Sequence, residues 1–438
     1  MTIYSTYRPG QAPGRPQTPP DGTPEVDLLR WPDVARVPGG PVRAAVAARL
    51  VRSVARRLGL RVELPGGRLL LAAPVGAPTL RLHRPGDFHR RIGAGGLIGF
   101  GESYQAGDWD SPDLVALLTA LATSPGTLVP PRLQGLRRWH AQRPPAAELP
   151  SAENAQRNIH RHYDLSNDLF ALFLDPTMTY SSALFPTDTA PLPQAEWAAL
   201  QPAQHRKIDR LLDLAEVGPG SRVLEIGTGW GELALRAADR GASVVSLTLS
   251  EEQRALARRR IAAAGHTGRV DVRLCDYRSA EGSYDAVVSV EMIEAVGRPY
   301  WPAYFGTLDR VLVPGGRAVL QAITMPHERM LASAGTYTWI LKYIFPGGQI
   351  PSAEALARSA AEHSGLRLTH SQAFGPHYAQ TLRLWRERFT ARADEVAELG
   401  FDHVFRRMWE LYLAYSEAGF RTGYLDVQHL LFTREARP

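Results

Sequence analysis

Cysteine is almost absent from this 438-residue chain, in which Cys275 stands alone. One thiol excludes an intramolecular disulfide and any cysteine-rich metal site. His160 and His162 lie two apart, yet nothing nearby completes a ligand set, so no metal is expected. Lysine is nearly missing as well: Lys207 and Lys342 are the only two among 50 basic residues. No uninterrupted apolar run reaches spanning length, and no charged-then-apolar leader opens the chain. The expectation is a cytoplasmic protein, peripheral at the inner face of the membrane.

What is present is a chain long enough for two domains, with an ordinary 44% of hydrophobic residues. Its positive charge is uneven. Residues 1–150 hold 19 Arg against 11 acidic residues, although the whole chain is only +6. A basic N-terminal third favours anionic lipid headgroups. Nucleic acid is the rival partner, but no nucleic-acid motif accompanies the charge, so none is expected.

Composition divides the chain. Residues 1–31 are a Pro-rich segment expected to be disordered. Residues 32–125 read as an accessory, lipid-engaging domain. It begins with a helical pattern from Pro41 to Leu58, whose Val42, Val46, Leu50, Val54 and Leu58 recur every four residues beside Arg49, Arg52 and Arg56. Strand-like runs follow at Leu69–Ala73 and Thr79–Leu82. Residues 126–152 are a Pro-rich linker, and 153–438 alternate strand and helix patterns, which predicts a doubly wound, mostly parallel sheet. The apolar, aromatic run Met325–Gly348 suits helices roofing an acyl tunnel, and ordinary core packing explains it nearly as well.

The most informative segment is Val223-Leu-Glu-Ile-Gly-Thr-Gly-Trp-Gly231, an apolar strand ending in an acid and three alternate glycines, followed by a helical pattern. Such a turn brings a ligand against bare backbone at a helix N-terminus. Alone it says only that a nucleotide-like cofactor binds. After the next strand a dinucleotide domain would usually carry an acid for the ribose. Here stands Thr248-Leu-Ser-Glu-Glu-Gln253, and further on come Cys275-Asp-Tyr-Arg278 and Tyr284-Asp-Ala-Val-Val-Ser-Val-Glu-Met-Ile-Glu-Ala-Val-Gly297.

In that order these blocks resemble a class I S-adenosylmethionine (SAM) methyltransferase. Together with His162-Tyr-Asp-Leu-Ser-Asn-Asp168, Met178-Thr-Tyr-Ser-Ser182 and Tyr300-Trp-Pro-Ala-Tyr304, the wording is similar to the cyclopropane-fatty-acid synthase and mycolic-acid methyltransferase family. The segment Gly93–Trp109 resembles the N-terminal module of the longer, phospholipid-acting members. The resemblance implies a Rossmann-like α/β catalytic fold with a helical lid and a smaller N-terminal α+β domain. It places SAM against Glu225, Gly227, Gly229 and Gly231, with Thr248, Leu249, Ser250 and Gln253 at the ribose, and Asp276 and Tyr277 at adenine. Tyr180 and Ser181 come over the cofactor from the lid.

It also implies the chemistry. Methylating the cis double bond of an unsaturated phospholipid acyl chain makes a carbocation, and a base must then remove a proton. In the cyclopropane-forming relatives a bound bicarbonate does this, held by a cysteine, a glutamate, a histidine, the backbone at an isoleucine and a tyrosine. Glu294, Ile323 and Tyr378 match three of these positions, while Ser182 and Gln321 replace the cysteine and the histidine. Both replacements keep hydrogen bonding, but Gln carries no charge and Ser is no thiol, which leaves bicarbonate binding open. The Ser/Gln pair resembles the branch that turns an oleoyl chain into a 10-methylene chain, the tuberculostearic acid precursor. A cyclopropane ring from the same cation is the alternative. A methylene product would pass to a separate reductase, and a homodimer fits the family.

Overall fold

A computed structural model describes residues 25–123, 166–187 and 192–435. The linker 126–152, His160, His162 and most of the proposed tail lie outside these residues. The described chain forms two compact units.

The first unit comprises residues 25–123 together with 336–344 and 386–422. Its sheet runs β2-β1-β3-β4, with β1 Arg61–Glu63, β2 Leu69–Leu71, β3 Thr79–Leu82 and β4 Trp109–Asp110. The glycine-rich stretch expected to be a module forms two helices, Pro85–Gly95 and Leu97–Gln105. The helix Pro41–Arg57 forms as its periodicity predicts, but its buried residues are Ala47 and Ala55. Val42 and Val46 remain 76% and 55% exposed. The reason is close packing: a Cβ on Gly93 would sit 2.7 Å from the Arg43 carbonyl oxygen, so small residues face this contact. Part of the supposed tunnel roof belongs here too. Trp339 donates to Gln105 Oε1 (2.8 Å), and Lys342 pairs with Glu102 (2.6 Å) and Asp33 (2.8 Å). The apolar run therefore divides, with Met325 to Gly335 staying in the second unit.

The second unit carries the seven-stranded sheet, ordered β10-β11-β9-β8-β5-β6-β7. Its strands are β5 Arg222–Ile226, β6 Ser243–Thr248, β7 Val270–Leu274, β8 Tyr284–Val290, β9 Leu312–Thr324, β10 Leu366–Ala373 and β11 Asp426–Arg434. β7, β6, β5, β8 and β9 pair in parallel; β11 runs antiparallel between β9 and β10. This is the doubly wound sheet that the alternation predicts. Successive residues of a strand point to opposite faces. Val223 accordingly joins a core cluster with Ile208, Leu211 and Ala234, while Leu224 joins another with Tyr304, Phe305 and Leu308. Helices cover both faces, which is why Val223 and Leu224, on opposite sides of β5, are both apolar and buried. The chain order reverses between β5 and β8, and the crevice outside their carboxyl ends is where such sheets take ligands. Among the described residues no helix is long and apolar enough to cross a membrane.

Candidate active site

At the end of β5 the backbone turns through Gly227, Gly229 and Gly231, with φ of 97°, 54° and 92°. L-residues rarely adopt these angles. A Cβ on Gly227 would also lie 2.6 Å from Met292 Cγ, whereas one on Gly229 would meet nothing within 4 Å. Gly231 caps the helix Glu232–Asp239 from outside the wall of the adjoining cleft.

That cleft holds a cavity of about 120 Å³. Tyr180, Ser181, Glu225, Gly227, Gly229, Thr248, Leu249, Gln253 and Tyr277 line it. Besides Gly231, two expected residues do not. Ser250 caps the helix Glu251–Ala263 by accepting from Gln253 N at 3.2 Å. Asp276 directs its carboxylate to Arg278 at 2.5 and 2.8 Å, which holds it below the usual range despite burial. Tyr180 and Ser181 reach the cleft from irregular chain, not from a lid helix. The helix Asn167–Phe173 has ended, and Asp175 folds the chain by accepting from Thr177 N and Oγ1 at 3.0 Å each. Tyr180 is held by stacking on Trp385, centroids 5.3 Å apart.

The cleft also holds polar groups that sequence reasoning missed. Thr228 bonds to Ser246 (2.6 Å), which donates to Glu225 (2.5 Å), fixing that carboxyl at the strand end. Burial pushes Glu225 up to about 8. Lys207, wholly buried, donates to Ser181 Oγ at 2.6 Å, and burial pulls it down to about 8. Its rarity was the one available signal: it is one of two lysines in a chain that otherwise uses arginine.

Beside the cleft, Ser182, Gln321, Ile323, Tyr378 and Glu294 do come together, around two carboxylates. Ile323 N donates to Glu294 Oε1 at 2.5 Å; Glu294 Oε2 has no hydrogen-bond partner among the described residues. Burial, reinforced by the charge of Glu291, pushes Glu294 up to about 8. The other three donors converge on Glu291, to which the sequence reading gave no role. Ser182 N donates to its Oε1 at 2.9 Å, Gln321 Nε2 at 2.8 Å, and Tyr378 OH to its Oε2 at 2.7 Å. Burial raises Glu291 above the ordinary carboxyl value, while these bonds oppose the shift. Gln321 is oriented in turn by His429, whose Nε2 lies 3.0 Å from Gln321 Oε1. A carbonyl oxygen only accepts, so His429 carries its proton on Nε2, and burial keeps the ring neutral. The donors expected to grip bicarbonate are therefore already engaged by the chain's own carboxylates. The residues present do not fit that anion.

The model of the mycolic acid cyclopropane synthetase family matches residues 151–430. Over 416 residues the chain is 57% identical to tuberculostearic acid methyltransferase UfaA1 of Mycobacterium tuberculosis, covering 94% of this chain and 97% of that protein. Identity to the cyclopropane-fatty-acyl-phospholipid synthase of Escherichia coli is 33% over 366 residues, 81% of this chain and 87% of the other. Among solved structures, the cyclopropane synthase MmaA2 from Mycobacterium tuberculosis superposes with a TM-score of 0.57 at 33% identity, over 64% of this chain and 98% of that one. Mycolic acid cyclopropane synthase CmaA1, complexed with SAH and CTAB, gives the same values.

Proposed function

The chain belongs to the mycolic acid cyclopropane synthetase family, and from that premise we propose that it methylates the cis double bond of an oleoyl chain in a phospholipid, giving a 10-methylene chain. It is a SAM-dependent methyltransferase. The observation that carries the reading is the 57% identity, over nearly the whole chain, to tuberculostearic acid methyltransferase.

The cleft fits SAM: it offers bare glycine backbone, a buried acid at a strand end and an aromatic shelf at Tyr277. Glu225, Gly227 and Gly229 hold the amino-acid and ribose side, with Thr248, Leu249 and Gln253 beyond, and Tyr180 and Ser181 close over it. When bound, SAM supplies an electrophilic methyl group on a positive sulfur. The protein's own work is to hold the acyl double bond against that methyl, exclude water and stabilise the cation with fixed negative charge and aromatic faces. Tyr378 and Tyr180, both packed against Trp385, supply aromatic surface beside the carboxylate pair.

Reducing the methylene to a methyl branch needs a hydride donor, and no second cofactor fingerprint is present in the sequence, so a separate reductase follows. The phospholipid is met at the inner face of a membrane. The exposed Arg49, Arg52, Arg56 and Arg57 on the helix Pro41–Arg57 support that placement. A homodimer belongs to the same proposal, and light scattering tests it.

The product is decided by proton NMR on lipids from a host expressing this protein alone. Methylene and cyclopropane products share a mass, so mass spectrometry does not separate them. Vinylidene protons are expected. Upfield ring protons without them would make the protein a cyclopropane synthase instead.

A further inference from the structure

Glu291 sits at the switch point of the sheet, directly after β8, between Val290 and Met292, which both line the cleft. Ser182, whose N–H it accepts, follows the cleft residue Ser181. The carboxylate thus adjoins the cleft wall from two sides. Its three donors come from separate parts of the unit: an irregular segment, β9 and the helix Gly375–Ala391. Its backbone has φ 51°, a left-handed conformation that suits glycine and that few side chains adopt. A glutamate held there against local preference, by three converging donors, marks a functional position.

Resting on the proposed methyl transfer to an acyl double bond, we infer that Glu291 is the general base of the reaction, a carboxylate of the chain in place of bound bicarbonate. Ser182, Gln321 and Tyr378 then hold the base itself, not an exchangeable anion. A bicarbonate added beside Glu291 and Glu294 would find these donors taken and two carboxyl groups as neighbours. Glu291 faces Lys207 and Glu294 as its charged neighbours, with Tyr378 bonded to it and the neutral His429 behind Gln321.

The step balances. The π pair of the double bond forms the new carbon–carbon bond, and sulfur keeps the pair of the broken carbon–sulfur bond. This leaves a cation on the neighbouring chain carbon. Hydride moves from the methylated carbon to that cation, shifting the charge to the methylated carbon. Glu291 takes a proton from the added methyl, and the released C–H pair closes the exocyclic double bond. No oxidant or reductant is consumed.

The test uses purified full-length protein, methyl-labelled SAM and dioleoyl phosphatidylglycerol vesicles. Wild type is expected to work equally well in bicarbonate-free and bicarbonate-supplemented buffer. Glu291→Gln keeps the size and the side-chain oxygen but accepts no proton. It should bind S-adenosylhomocysteine within about twofold of wild type by calorimetry, yet form product about 100-fold more slowly or worse. Glu291→Asp should retain partial activity with a larger isotope effect when the transferred methyl is deuterated, because proton removal becomes limiting; a purely structural residue would leave that effect unchanged. Glu291→Gly suits the backbone and opens the space, so added bicarbonate or formate should restore product formation. A wild type that loses activity when bicarbonate is removed, or a Glu291→Gln enzyme at wild-type rate, would overturn the assignment. A wild type that binds S-adenosylhomocysteine but labels no unsaturated lipid would instead overturn the proposed function itself.

Discussion

Glu225 and Glu294 both titrate near 8 because burial strips a charged carboxylate of its water. Their unfolded values lie near the ordinary 4.5. Between those pH values the folded protein keeps protons that the unfolded chain has released. Stability contributed by these groups is therefore complete below about 4.5 and is lost as pH rises towards 8. Lys207 acts in the opposite sense: between about 8 and 10.5 the unfolded chain holds the extra proton, so its effect is a rise in stability with pH. Melting temperature is expected to decline from pH 5 to 8. Glu294→Gln, which has no proton to lose, should show a shallower decline and melt above wild type at pH 8. Thermal melts at steps of pH read this directly, and parallel slopes would mean that Glu294 is charged in the folded protein.

At the scale of elements, the β5 turn and its glycines are the most demanding local structure in the catalytic unit. Gly227 and Gly229 make different demands. A side chain on Gly227 collides with Met292, so its loss damages the fold as well as the cleft. A Cβ on Gly229 meets no protein atom within 4 Å, and the residue lines the cleft. Gly229→Val should therefore cost S-adenosylhomocysteine binding at least tenfold, through the side chain and the unsuited φ of 54°. The melting temperature should fall by only a few degrees. Calorimetry and a thermal melt on the same sample separate the two effects; unchanged affinity would place the cofactor elsewhere. The glycine spacing was legible in sequence because residues other than glycine rarely adopt these angles. The difference between Gly227 and Gly229 was not, since it depends on Met292, 65 residues later.

For the molecule as a whole, the first unit limits how membrane engagement is tested. Deleting the N-terminal residues would strip Lys342, Trp339 and Arg407 of Glu102, Gln105 and the Tyr104 carbonyl. Truncation thus confounds folding with lipid binding. Replacing Arg49, Arg52, Arg56 and Arg57 by Gln leaves the exposed helix in place and removes its charge. Each basic residue near an anionic surface contributes about 1 kcal/mol. The fourfold variant should therefore bind phosphatidylglycerol vesicles at least tenfold more weakly in co-sedimentation, with S-adenosylhomocysteine affinity unchanged. Undiminished vesicle binding would remove this helix from the membrane interface.

The sequence by itself determined the family through its run of motifs, the parallel sheet through strand alternation, the glycine loop through local backbone demands, and nine of the cleft-lining residues through the family resemblance. It also identified Ser182, Gln321, Ile323 and Tyr378 as residues that meet. What it did not reveal is Glu291, on which Ser182, Gln321 and Tyr378 converge. Glu291 and Glu294 stand three residues apart in one run, and nothing local distinguishes a held base from a buried acid. The decision lies in the left-handed turn at Glu291, which brings its carboxylate to donors roughly 30 to 110 positions away in the chain. Likewise, residues 336–344 and 386–422 read as continuous with the catalytic chain, and only long-range packing assigns them to the first unit. Contacts between distant segments leave no periodic trace in a single sequence, so the tertiary structure alone decides them.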